Sequence, residues 1–109
     1  MALDAGLLAA SMLTAAKGPL EADWKTAQPY AQTQFTNIAR QIVDIEAQLA
    51  AGTINQTQAS LLLDMQKNAS RAALLTVEGI GLLAAQDALN AALGAIGTAV
   101  NGALKFPLL

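Results

Sequence analysis

No proline stands between Pro29 and Pro107, and from Ala72 to Leu104 the only charged residues are Glu78 and Asp87. Over that stretch the chain has neither the usual helix stop nor the charge that normally solvates a helix surface. It reads as a helix whose apolar sides must be covered. The spacing agrees: Leu89, Leu93, Ile96 and Val100 recur at helical intervals of four and three, which is a packing seam. Ala91, Ala95, Ala99 and Ala103 add a ladder of small residues at every fourth position, which suits close helix–helix approach. The pattern predicts one helix over 56–105, about 75 Å long at roughly 1.5 Å per residue.

Upstream, Asp4 fits the cap of a short helix over 3–17, with Leu3, Leu7, Leu8 and Met12 as its apolar face. Lys17-Gly18-Pro19 ends it, with a cation, a glycine and a proline in the order of a helix stop. A second helix is expected over 20–51, kinked near Pro29, where a backbone donor is lost. Phe35, Ile38, Ile42, Ile45 and Leu49 form its seam at intervals of three and four, and Arg40 and Asp44 are placed to pair. Gly52 then suits a helix end, and Asn55 with Gln58 forms a capping box for the next helix. Leu61, Leu62, Met65, Ala69 and Ala72 are the residues expected to meet the seam of the second helix.

The reading is therefore a single all-α domain over 1–109. It is an antiparallel helical hairpin with a long C-terminal helix, plus a short N-terminal helix, packed in an oligomer. The overhang of the long helix, about 88–105, needs a partner. The short first helix or a neighbouring subunit would supply it.

Inside the predicted long helix lies TVEGIGLLAA, Thr76 to Ala85. Gly79, Gly81 and Ala84 match G-x-G-x-x-A, the spacing of a dinucleotide-binding turn. That turn belongs to a strand–helix–strand unit with an acidic residue about 20 positions on. The sequence offers helical spacing on both sides, and no Asp or Glu follows Asp87. The glycines are instead read as a point of close helix contact or a bend.

Composition narrows the function classes. Hydrophobic residues make up 54% of the 109 residues but aromatics only 4%, so the apolar mass is mostly Ala and Leu and each residue buries little area. Charged residues are 13%, against about 25% in ordinary soluble domains. Much of the surface is therefore expected to face protein or lipid. With a net charge of -2 and scattered basic residues, no nucleic acid is expected as a partner. There is no Cys and no His, which excludes disulfides, thiolate or imidazole nucleophiles and almost every zinc, haem or iron–sulfur site. Acid/base work would fall on carboxylates, Lys or Tyr, and no catalytic, cofactor or metal site is expected. Glu78 and Asp87, nine residues apart, would point to opposite sides of one helix and cannot form a carboxylate pair. The N-terminal stretch lacks a basic region and carries Asp4, so no signal peptide is expected.

The stretch EAQLAAGTINQTQASLLLDMQKNASRA resembles the helical hairpins of small Ala/Gln-rich virion proteins of bacteriophages, such as internal, neck or tail components. The resemblance lies in style rather than in a motif and covers about a quarter of the chain. It implies a virion component, and no residue role comes with it. Composition and seams lead to a non-enzymatic structural subunit of a homo-oligomeric helical assembly. Its expected interface residues are Gly79, Gly81, Leu89, Ala91, Leu93, Ala95, Ile96, Ala99, Val100 and Ala103. The alternative is a membrane-active protein whose 80–104 segment inserts as a multimer, with Gln86, Asp87 and Asn90 facing water in a lumen.

Overall fold

A computed structural model describes residues 3–109. They form four helices and, among the described residues, no strand: α1 Ala5–Ala16, α2 Trp24–Ala51, α3 Gln56–Leu75 and α4 Leu82–Leu104. A short 3₁₀ turn, Glu21–Asp23, leads into α2. The all-α class is as expected. The long helix over 56–105 is not formed: the chain leaves the helix after Leu75 and starts a new one at Leu82.

The break is a reversal. Laid end to end, α3 and α4 would reach more than about 60 Å at roughly 1.5 Å per residue. The whole molecule measures only 43 × 21 × 19 Å. The chain therefore folds back, and each helix runs antiparallel to the one before it. In the resulting bundle α1 packs along both α2 and α4, α3 packs along α2 and more sparsely on α4, and α2 and α4 meet across a diagonal. The overhang expected to need a partner finds it in α1, the first of the two expected candidates.

Local chemistry sets the helix ends. The Leu7 N–H donates to Asp4 Oδ1 at 3.0 Å, which caps α1. Gly52 ends α2 in the left-handed region, with φ 74°. At the start of α3 the Gln58 N–H donates to Asn55 Oδ1 at 2.8 Å and the Asn55 N–H donates to Gln58 Oε1 at 2.9 Å, completing the capping box. Pro29 does not interrupt α2. The carbonyl it leaves without a donor belongs to the exposed Lys25, and Ala27, Ala31 and Phe35 stay buried in one helical register around it. Packing and solvent together hold the helix through the missing bond. The Arg40–Asp44 pair is not formed, and the ion pair found among the described residues joins Lys67 Nζ to Asp64 Oδ1 at 3.7 Å.

The core mixes large side chains with alanines. Phe35, Ile38, Ile42 and Ile45 of α2 are fully buried, as are Met12 of α1 and Leu63 and Leu74 of α3. Between them Ala16, Ala27, Ala31, Ala39, Ala59, Ala85, Ala88 and Ala92 let backbones approach closely. The core face of α3 differs from the expected one. Ala59, Leu63, Ser70 and Leu74 point inward, while Leu61 and Met65 are about three-fifths exposed. Leu61-Leu62-Leu63 places a leucine on three directions of the helix at once, so periodicity alone does not choose between them. Beyond α4, Lys105 takes the left-handed conformation with φ 62°, and Asn101 clamps the backbone of Leu109. Its Nδ2 donates to the Leu109 carbonyl at 3.1 Å, and its Oδ1 accepts from the Leu109 N–H at 2.9 Å.

Candidate functional site

The residues expected at an interface fall into three groups. Leu89, Leu93, Ile96 and Val100 are buried against the other helices of the same chain. Their seam is consumed by the bundle, so an assembly has to use other surfaces. The alanine ladder lies at the edge of this packing: Ala95 and Ala99 are exposed, Ala91 and Ala103 half-buried. Ala95 borders an open groove of about 490 Å³ with Ala10, Ser11, Thr14 and Ala15 of α1. The alanines of α4 that are buried are Ala85, Ala88 and Ala92, and what the ladder borders is a shallow trough of methyl and hydroxyl groups.

Gly79 and Gly81 form the third group. They are not in a helix. Gly79 has φ 91°, a conformation that costs an L side chain about 1–2 kcal/mol. A Cβ on Gly79 would also stand 2.8 Å from Asp23 Oδ1, so the turn packs on the entrance to α2. Gly81 is the cap residue of α4, with φ −85° and open space around its missing Cβ. Of the two expected roles the bend is found, at Gly79. Close helix–helix contact is not, since Gly79 and Gly81 are exposed and the atoms nearest a Gly79 Cβ belong to the Asp23 side chain of the 3₁₀ turn. Val77 and Ile80 are buried from the same turn and anchor it to the core.

Gln86, Asp87 and Asn90 stand on or near the outer side of α4. Asp87 and Asn90 are exposed and Gln86 is half-buried. Among the described residues no helix is long and apolar enough to cross a membrane. No three His, Cys, Asp or Glu side chains among them come together as a metal-binding group.

What the folded chain does present is apolar surface. Leu61, Met65 and Leu75 of α3 are exposed, as are Leu82 and Leu83 at the start of α4, Leu7 of α1 and Tyr30 of α2. Leu61, Met65, Ala72 and Leu75 follow one another at helical intervals on the side of α3 opposite its buried face. They form a stripe that runs up to the 76–81 turn. Leu61 and Met65, which the spacing assigns to the core, are therefore on the outside, and nothing in the spacing marks Leu82 and Leu83 as exposed.

Comparison with protein-family models, curated proteins and solved structures gives no match.

Proposed function

We propose that the chain is a non-enzymatic structural subunit of a homo-oligomeric helical assembly, of the virion-component class its hairpin sequence resembles. The observation that carries the reading is the apolar stripe of α3. A bundle that has already buried its seams still exposes Leu61 at 59% and Met65 at 61% along one helix face. Scattered surface leucines need no explanation, but an aligned set on one face marks a contact surface. The low charge content, 13%, supports the same reading, because so little charge leaves a lone subunit poorly solvated. The membrane-active alternative has no comparable support, since α4 would have to surrender Leu89, Leu93, Ile96 and Val100 from the core.

Light scattering across a concentration series tests the proposal. A mass rising above the 11.2 kDa of one chain is expected. A folded protein that keeps that mass at micromolar concentration and above would sink it.

A further inference from the structure

The α3 stripe has a heptad order and a charge pattern that together select a partner. Leu61, Met65, Asn68, Ala72 and Leu75 alternate at spacings of four and three, the two seam positions of a coiled coil. Asp64 and Arg71 occupy equivalent flanking positions on one side of that seam, one heptad apart and of opposite sign. The other flank, Leu62, Ala69 and Thr76, carries no charge.

We propose that α3 pairs antiparallel with α3 of a second copy about a two-fold axis near residues 66–67. This rests on the assembly reading above and specifies its contact. In that arrangement Leu61 faces the small Ala72 of the second copy, and Met65 faces its Asn68. Equivalent flanks meet in an antiparallel pair, so Asp64 of each copy faces Arg71 of the other. A two-fold contact makes both ion pairs at once. A parallel pairing sets each flank against the opposite one and leaves Asp64 and Arg71 beside uncharged side chains.

The groups are available for this. The Asp64 side chain is 64% exposed and its only ion-pair partner among the described residues is Lys67, at 3.7 Å. Arg71 has no carboxylate partner among the described residues; its Nη1 donates to Asn68 Oδ1 at 3.4 Å and its Nε is buried without a hydrogen bond. Leu7 and Tyr30, the other exposed apolar residues away from the turn, have no such ordered neighbours. From Leu61 to Leu75 the helix runs about 21 Å. A contact of that length lies at the small end of specific interfaces, so the dimer is expected to be concentration-dependent.

Charge exchange tests the pairing by sedimentation equilibrium, with circular dichroism confirming that each variant is folded. Asp64→Arg and Arg71→Asp should each weaken dimerisation by about tenfold or more, because like charges then meet twice. The double variant should recover most of the lost affinity. Met65→Lys, which leaves both charges in place, should weaken it as well. Because the chain has no cysteine, Asn68→Cys should cross-link between copies through a short bis-maleimide, and Thr98→Cys on α4 should not. Association that ignores the charge exchanges, or cross-links at position 98 rather than 68, overturns the α3 pairing and leaves the assembly reading intact. A wild-type chain that stays monomeric overturns both.

Discussion

The turn after α2 and the turn after α3 both contain a glycine with positive φ, Gly52 at 74° and Gly79 at 91°, yet they reverse the chain by different means. The first is set by local chemistry. Gly52 closes α2 through N–H bonds to the Gln48 and Leu49 carbonyls, and the Asn55–Gln58 box opens α3 four residues from the end of α2. The second has no side-chain cap on α4. It is held by tertiary contact: Val77 and Ile80 are buried, and Gly79 lies against Asp23. The first turn is capped on both sides by its own residues; the second adds buried side chains to local backbone bonds such as Val77 N–H to the Leu74 carbonyl and Ile80 N–H to the Val77 carbonyl.

Substitutions at the two turns separate these cases. The largest effect is expected for Gly79→Ala, at about 1–2 kcal/mol of lost stability in urea unfolding, from backbone strain at φ 91° plus the small cost of swinging the Asp23 carboxylate aside. Asn55→Ala comes next, at about 1 kcal/mol, because both bonds of the capping box go. Gly52→Ala should cost about 1 kcal/mol from backbone strain alone, because no atom lies within 4 Å of its missing Cβ. The excess of Gly79→Ala over Gly52→Ala is the tertiary part of the second turn, and it should shrink in an Asp23→Ala background. If the two glycine substitutions cost the same in both backgrounds, the second turn is as local as the first. The smallest effect is a gain: Gly81→Ser supplies the missing cap of α4 in open space and should stabilise by a few tenths of a kcal/mol.

The same distinction explains what could be read from the sequence. The caps at Asp4 and Asn55, the stop at Lys17-Gly18-Pro19 and the α2 seam from Phe35 to Ile45 all rest on neighbours within a few residues, and all are found where expected. The reversal at 76–81 depends on Asp23 and on the core, which are distant in sequence, and so the stretch read as uninterrupted helix. Its consequence for the site follows. Once α4 folds back onto α1, Leu89, Leu93, Ile96 and Val100 are internal, and the exposed apolar face moves to Leu61 and Met65 of α3. The helical spacing of the α4 seam marks residues that are buried. It is no guide to which helix covers them.

The fold-back at 76–81 is the claim on which the bundle, the buried α4 seam and the free α3 face all depend. It is tested most directly by an intramolecular spin-label distance. Thr57 near the start of α3 and Gly102 near the end of α4 are both exposed, and the absence of native cysteine allows Thr57→Cys with Gly102→Cys to be labelled cleanly and diluted into unlabelled protein. In the 21 × 19 Å cross-section of the bundle, the two labels should lie below about 30 Å apart, as on neighbouring helices of a four-helix bundle. A distance near about 68 Å, the length of one uninterrupted helix between those positions, would contradict the account.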